Sequence, residues 1–221
     1  MFNNKDVIKK DKAIILRDFL SRDMVNYVIE HTKMSQRVAR IQGQSKHLEG
    51  DGQTDNSLYV KYGDMATDTI LHMAEPYLSE IWSTKIYPTF SYVRRYGRGD
   101  MLYPHYDRVG CGVTVSIKLT GNPWPIYFLE EKNYQEGSEK IVGNIGDAVM
   151  WNGQNYLHYH KQPLQEHDCI HLLLAFTEDP NWVYDKRPFL GCPPNDGYKY
   201  KDVHYGHDKN DNDAMGKIYS K

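Results

Sequence analysis

The sequence has few cysteines and no long apolar run. Its 221 residues include three cysteines, Cys111, Cys169 and Cys192, and an odd number without paired spacing does not make a disulfide framework. No stretch approaches the roughly 18 apolar residues of a membrane span. The first residues carry no apolar core of signal-peptide length. We therefore expect a soluble, cytoplasmic protein in a reducing compartment, with no membrane partner.

The chain also lacks a strong charge of either sign. Its 27 Lys and Arg residues nearly balance 29 Asp and Glu residues, which leaves a formal net charge of −2. Because no strongly basic stretch stands out, nucleic acid is not expected as a partner. Aromatic residues are numerous, with 18 Tyr and 4 Trp. Tyr suits pockets that have one apolar and one wet side, although its preference for sheets explains many of them.

Helical patterns occupy the first part of the chain, residues 1–85, which also holds a short strand after Lys12. Ser21 is a suitable N-cap for a helix that we expect to end near His31. A second helix is predicted over Met65–Trp82, and Pro76 inside it predicts either a kink or two shorter helices. We expect these elements to support the sheet of a single domain.

Two stretches show no sustained periodicity. Residues 34–57 are polar and Gly-rich and predict a long loop. We take Gln36 to Asp55 within it as a lid that selects the substrate, on the basis of its length and glycine content. The charged end of the chain, residues 192–221, predicts a tail on the surface of the molecule.

From Ile86 onward the hydrophobic period changes towards two. Strands are predicted over Ile86–Tyr96, Gly112–Leu119, Pro125–Leu129, Glu139–Gly143, Ala148–Trp151 and Cys169–Thr177. Short strands at this density are typical of a barrel or a sandwich. The fold class expected is therefore mainly β with flanking helices.

A histidine and an aspartate two residues apart follow the first of these strands. Residues i and i+2 of an extended chain point to one face, so His105 and Asp107 can bind one ion together. One imidazole and one carboxylate are two-thirds of the facial triad that holds non-haem Fe(II). Further along, Gly146-Asp147 leads into an apolar run and then to His158 and His160, so a third ligand is available.

The order of these motifs resembles the Fe(II)/2-oxoglutarate-dependent dioxygenase superfamily, and within it the prolyl 4-hydroxylase-like group. The shared order is a strand, His-x-Asp, roughly fifty residues, Gly-Asp, an apolar strand, His, Pro and a last apolar strand. The likeness covers about Phe90 to Phe176, and Tyr96-Gly97 ahead of His105 is also similar. It implies a double-stranded β-helix (jelly roll, cupin-like) core over residues 86–191.

The resemblance also implies a chemistry. An enzyme of this kind uses Fe(II), 2-oxoglutarate and O2 to hydroxylate a small molecule or a peptide such as peptidyl proline, and it releases succinate and CO2. His105, Asp107 and His158 match the family's metal ligands, with His160 as the alternative distal ligand. The histidine that is not the ligand is expected to support a ligand or to contact the cosubstrate. Because halogenating relatives lack the carboxylate, Asp107 favours hydroxylation.

The cosubstrate site departs from the family pattern. The family usually places an Arg or Lys about ten residues past the distal His, whereas the strand Asp168–Phe176 has neither, and His171 is its nearest basic residue. On an earlier strand, Thr114, Ser116 and Lys118 share one polar face by alternation. This face predicts a cosubstrate site in which Lys118 binds a carboxylate, unless Lys118 is solvent-exposed at the strand end.

Further candidates alternate on the strand before His105. Tyr92, Arg94 and Tyr96 share a face, and Tyr96 resembles a Tyr that the related enzymes carry near the cosubstrate. Arg94 and Arg108 are candidates for a cosubstrate or substrate contact. Two other functions stay open: a cupin-like metal protein without 2-oxoglutarate chemistry, and a binding protein built on a degenerate barrel. The oligomeric state is not indicated.

Overall fold

The computed structural model of the chain describes residues 2, 6–44, 47–48, 53–54, 57–129 and 138–192. These residues form two α-helices and ten strands, with short helical turns at Val109–Cys111 and Pro180–Lys186. The helices are α1 (Arg22–Ile41) and α2 (Met65–Trp82). The strands are β1 (Val7–Lys9), β2 (Ile14–Leu16), β3 (Tyr59–Tyr62), β4 (Tyr87–Gly97), β5 (Val113–Lys118), β6 (Ile126–Leu129), β7 (Glu139–Ile141), β8 (Ala148–Asn152), β9 (Leu157–Tyr159) and β10 (Asp168–Thr177). The predicted tail lies outside the described residues from position 193 onward.

The strands form two antiparallel sheets with jelly-roll connectivity. The large sheet has the order β1-β2-β8-β5-β10-β4-β3 and the small sheet the order β7-β6-β9. An isolated bridge between His105 and His158 adds the segment around His105 to the edge of the small sheet. From β4 onward, the eight extended segments then divide between the sheets in the order of a jelly roll: first, third, sixth and eighth in one, and the rest in the other.

The large sheet has one apolar face and one polar face, as the alternation in β5 predicts. Val113, Val115, Ile117 and Leu119 belong to the main core, together with apolar residues of both helices. The intervening residues of β5 face the interior between the two sheets, where they line cavities. This division places the polar side chains of the large sheet inside the jelly roll, on the side that faces the small sheet.

Helix α1 is ten residues longer than predicted. Ser21 does cap it, because its side chain accepts a hydrogen bond from the Met24 amide at 3.4 Å. The predicted end at His31 and the predicted loop from residue 34 are wrong as far as Ile41. The start of the predicted lid is wrong with them, because residues 36–41 belong to α1. Residues 45–46, 49–52 and 55–56 of that stretch lie outside the described residues. The sequence pattern did not indicate this longer helix because a polar residue, Gln36, occupies a buried position. Its side-chain amide donates a hydrogen bond to the Leu58 carbonyl at 2.7 Å.

Helix α2 has the predicted bounds. Pro76 lies inside one continuous helix, so the alternative of two shorter helices is wrong. Asp64 caps this helix by accepting a hydrogen bond from the Ala66 amide at 2.9 Å. No helix in the described part of the chain is both long enough and apolar enough to cross a membrane. The three cysteines, all of them described, form no disulfide.

We expect a pH-dependent contribution to stability from His31 and Asp64, which join α1 to the start of α2. Their side chains meet at 2.8 Å, and this hydrogen bond raises the pKa of His31 above 6.5 although partial burial opposes the charge. A raised pKa stabilises the folded state below pH 6.5, and the contribution is lost as pH rises through the raised value. Replacing His31 by Gln should therefore cost up to about 1 kcal/mol at pH 6 and much less at pH 9.

Urea unfolding at the two pH values measures this difference. The change His72→Gln, at an exposed position of α2, serves as the control and should alter stability equally at both. A His31→Gln cost that is the same at pH 6 and pH 9 would contradict an ionic contribution from this pair.

Candidate functional site

His105, Asp107 and His158 converge on one point between the two sheets. The Nε2 atoms of both histidines lie 3.6 Å from Oδ1 of Asp107, and one ligand atom from each residue lies within 4.8 Å of the others. The bridge between the two histidines holds them side by side, with backbone hydrogen bonds of 3.3 and 3.1 Å. The fold therefore brings together the three residues that the sequence predicts as ligands.

Both histidines present the same ring nitrogen to this point. Nδ1 of His105 lies 2.7 Å from the Tyr103 carbonyl oxygen, and Nδ1 of His158 lies 3.0 Å from that of Tyr156. A carbonyl can only accept, so each Nδ1 carries the proton and donates it. In a neutral ring the lone pair is then on Nε2, which is the tautomer that a metal ligand of this orientation requires.

The Asp107 carboxylate is held in place from two sides. Its Oδ2 accepts a hydrogen bond from Thr114 Oγ1 at 2.6 Å, and its backbone amide donates to the Gly153 carbonyl at 2.8 Å. Burial raises the pKa of this carboxyl, and the hydrogen bond from the Thr114 hydroxyl offsets part of the effect. Thr114 thus holds Asp107 instead of facing the cosubstrate chamber described below.

The three donors fit a divalent metal ion. Two imidazole nitrogens and one carboxylate oxygen on one side of an ion form the 2-His-1-carboxylate triad, and this donor set without thiolate suits Fe(II) while also accepting Mn or Zn. A divalent cation would also supply the positive charge that a buried carboxylate needs. The role of these residues as ligands remains a prediction that the geometry favours.

Asp147, in the Gly-Asp motif, has a structural role. Its Oδ1 accepts a hydrogen bond from the Asp18 amide at 2.9 Å, and its Oδ2 accepts from Arg17 at 2.5 Å and from the Asn144 amide at 2.8 Å. Gly146 beside it has a φ of +88°, in the left-handed region that favours glycine. The motif therefore fixes the turn before β8, the strand that leads to the distal histidine.

A cavity adjoins the metal-ligand candidates on the inner face of the large sheet. We call it the first chamber. Residues of both sheets line it. Basic, aromatic, hydroxyl and aliphatic side chains are among them: Arg94, Tyr96, Ser116, Lys118, Trp124, Ile126, Ile141, His160, His171 and Leu173. The sequence-predicted cosubstrate residues other than Thr114 are thus brought together here.

Lys118 lines this chamber. The alternative that it is solvent-exposed at the end of its strand is therefore wrong. Its side chain is 5% exposed, and its ammonium donates a hydrogen bond to the Asn122 carbonyl. Burial lowers its pKa. His171 is its neighbour in the sheet. Nδ1 of His171 lies 3.0 Å from Ser116 Oγ, and its Nε2 is buried without a hydrogen-bond partner among the described residues.

His160 lies in the same chamber and away from the three converging atoms. Its ring stacks on Trp124, with centroids 3.6 Å apart, and Nδ1 lies 2.7 Å from the Pro125 carbonyl oxygen. Burial lowers its pKa to about 3. Tyr96 packs edge-on against Trp124 at 4.9 Å. The geometry thus favours His158 as the distal ligand and makes His160 part of the chamber wall.

The sequence pattern did not indicate a buried network beside Asp107. Arg108 donates two hydrogen bonds of 2.6 Å to the Asp185 carboxylate, which also accepts one from the Tyr62 hydroxyl. Asp185 lies in a turn with a φ of +55°, and Gly110 leaves room for the ion pair, because a Cβ there would lie 2.6 Å from Arg108 Nη1. These contacts join residues far apart in sequence, so no local motif could show them.

We predict that Gly153→Ala weakens metal binding. A Cβ at this position would lie 2.2 Å from Asp107 Oδ2 and 2.6 Å from the Cys111 carbonyl oxygen, so the carboxylate would have to move. Displacing or reorienting a ligand typically costs about 10- to 100-fold in metal affinity. Titration of the metal-free protein with Mn(II), followed by electron paramagnetic resonance, measures the change.

Gly143→Ala is the matched control, since a Cβ there meets its neighbours at an ordinary 3.7 Å. It should bind Mn(II) like the wild type. Wild-type affinity in Gly153→Ala would show that Asp107 is not a ligand, or that the site tolerates its displacement.

The chain is similar to known proteins in its fold and not in its sequence. No protein-family model matches the sequence, and a search of curated proteins finds no significant match. The fold, by contrast, is similar to solved structures at low sequence identity.

Three of these structures cover most of the chain. One is EctD from S. alaskensis with 2-oxoglutarate and 5-hydroxyectoine, at 13% identity, a TM-score of 0.58 and coverage of 83% of both chains. AviO1 from Streptomyces viridochromogenes Tue57 is 14% identical, with a TM-score of 0.56 and coverage of 77% of this chain and 91% of that one. The viral collagen prolyl hydroxylase vCPH from Paramecium Bursaria Chlorella virus-1, as a 2OG complex, is 16% identical, with a TM-score of 0.51 and coverage of 76% and 97%.

The likeness to these structures confirms the predicted fold: a mainly β jelly-roll core with flanking helices.

Proposed function

We propose that the chain is an Fe(II)- and 2-oxoglutarate-dependent oxygenase that hydroxylates an organic substrate. The observation that carries this proposal is the convergence of two imidazole Nε2 atoms and one carboxylate beside a chamber whose inner wall holds a buried lysine. EctD and vCPH, two of the similar structures, were solved with 2-oxoglutarate bound, which supports the same cosubstrate here. A cytoplasmic location remains a prediction.

The proposed reaction consumes one 2-oxoglutarate and one O2 for each hydroxyl group formed. When bound, iron would supply O2 activation, and one oxygen atom enters the substrate C–H bond as hydroxyl while the other becomes part of succinate. The 2-keto acid loses its C1 carboxyl as CO2. The protein side chains bind the reactants, orient them and keep water away from the buried site.

The residues of the first chamber suit the far carboxylate of 2-oxoglutarate. A carboxylate taken out of water needs a cation or several donors. Lys118 offers an ammonium, and the unpartnered Nε2 of His171 lies beside it on the neighbouring strand. Ser116 contacts His171 and can select the tautomer in which Nε2 is the donor. Lys118 would thus replace the Arg or Lys that related enzymes carry on the last core strand.

A cupin-like metal protein without 2-oxoglutarate chemistry is the alternative. It rests on the absence of Arg and Lys from Asp168–Phe176, a stretch that belongs to β10. The buried ammonium of Lys118 in the same chamber removes most of that support, because a cation is present after all. The cosubstrate titration described next separates the two functions.

Lys118→Ala should raise the 2-oxoglutarate concentration needed to form the Fe(II) complex by roughly 30-fold or more. Losing one partner of a buried charge pair costs about 2 kcal/mol or more, and each 1.4 kcal/mol is about tenfold in affinity. The measurement is an anaerobic titration of the Fe(II)-loaded protein with 2-oxoglutarate, following the weak visible charge-transfer band of the chelate.

Lys140→Ala, at an exposed position of the small sheet, is the control and should titrate like the wild type. Tight iron binding with no band in the wild type would favour the cupin-like alternative. A normal band with equal affinity in Lys118→Ala would keep the oxygenase and reject Lys118 as the residue that binds the carboxylate.

A further inference from the structure

A row of exposed apolar side chains runs along helix α1. Its members, which we call the α1 stripe, recur at alternating intervals of four and three residues: Tyr27, His31, Met34, Val38 and Ile41. His31 is partly exposed and contacts Asp64, and the four apolar members are 52%, 65%, 48% and 79% exposed in chain order. Apolar side chains that are exposed singly are ordinary, whereas a contiguous row of them marks an interaction surface.

Helical geometry turns the α1 stripe away from the protein core. The side chains that attach α1 to the rest of the molecule form a separate set: Val25, Val28, Thr32, Gln36 and Ala39. At 3.6 residues per turn, the centre of the stripe lies about 140° around the helix from the centre of this buried set. The spacing of the stripe, four and three residues over two heptads, is the one with which a helix packs along a second helix in a coiled coil.

The two flanks of the α1 stripe differ in charge. One flank carries Glu30 and Arg37, seven residues apart and both exposed, and the corresponding positions on the other flank are the uncharged Val28 and Ser35. Glu30 accepts a hydrogen bond of 2.8 Å from Lys33 in an exposed pair on the same helix. Arg37 has no ion-pair partner in the described part of the chain. The charged flank is thus acidic towards the start of the helix and basic towards its end.

This pattern of charges complements itself when two copies of α1 pack antiparallel. The charged flanks of the two helices then meet, so that Glu30 of each copy lies beside Arg37 of the other, and a two-fold axis repeats the contact. Tyr27 of each copy lies near Val38 of the other. In a parallel pair the charged flank would instead meet the uncharged one, and no ion pair would form.

We propose that α1 forms the interface of a two-fold symmetric homodimer, in which the α1 stripes of two copies of this chain pack antiparallel. Residues 27–41 span about 20 Å of helix. A contact of this length lies near the low end of specific interfaces, at roughly 1,000 Å² in total, so we expect a reversible dimer with a micromolar Kd. The proposal does not depend on the oxygenase function, because it rests on the surface of α1 alone.

Sedimentation velocity of the full chain, from about 1 to 200 μM, measures the association. We expect the average sedimentation coefficient of the wild type to rise with concentration from that of a monomer to that of a dimer. Met34→Glu places a charge in the middle of the stripe and should weaken the dimer about tenfold or more, since that charge would be buried on association. Met73→Glu, at an exposed position of α2, is the matched control and should associate like the wild type.

Charge reversal tests the antiparallel arrangement. Glu30→Arg alone and Arg37→Glu alone each bring like charges together twice in the dimer, so each should raise Kd about tenfold. The double variant Glu30→Arg/Arg37→Glu restores opposite charges and should return Kd to within about threefold of the wild type. Arg40→Glu makes the same change on the side of α1 away from the stripe and should leave Kd unchanged.

Three results would count against the proposal. A wild type that stays monomeric over the whole range would overturn it, and if Met34→Glu also lowered the unfolding temperature of that monomer, part of the same chain would be the occupant of the stripe. A dimer that Met34→Glu leaves intact would use another surface. Failure of the double variant to recover the affinity lost in both single variants would reject the antiparallel pairing.

Discussion

Two imidazoles and one carboxylate meet at a buried point, and the surrounding structure is built to hold them there. Like the polar face of the large sheet, these groups lie where water scarcely reaches, so each needs a fixed partner. Backbone carbonyls fix the ring tautomers of His105 and His158, and Thr114 fixes the carboxylate of Asp107. Gly153 leaves room for that carboxylate. A single cation would satisfy all three donors at once.

The jelly roll explains why this point adjoins a chamber with a polar lining. Its large sheet presents one face to the helices and the other to the interior, and the small sheet covers only part of that interior face. Where both sheets are present the cavity is lined by basic groups such as Lys118 and His171. Beyond the small sheet, the strands β3 and β4 present aromatic rings.

Local patterns predicted a large part of this site. His105 and Asp107 are two apart on an extended segment, and the alternation of Thr114 and Lys118 with apolar residues shows which face is polar. The turn around Gly146 indicated the strand before the distal histidine. These features depend on neighbouring residues, so a sequence can show them. The choice between His158 and His160 needed the register of β9, which the sequence does not state.

The features that the sequence patterns did not predict depend on contacts between distant residues or on elements too short to show a period. Helix α1 buries Thr32 and Gln36 and leaves Met34, Val38 and Ile41 exposed, which reverses the usual pattern from which a helix face is inferred. Strands β1, β3 and β9 have only three or four residues each, too few for a periodicity to stand out. Asp185 reaches Arg108 across 77 positions of the chain, so nothing near either residue indicates the pair.

The central claim is that this site couples a metal to 2-oxoglutarate turnover. Its most direct test is to supply the Fe(II)-loaded chain with 2-oxoglutarate and O2 and to measure succinate release and O2 uptake together, with Asp107→Ala as the comparison. We expect slow release of succinate with matching O2 uptake in the wild type, even without substrate, and only background in the variant. Full iron occupancy with no succinate above background would contradict the account.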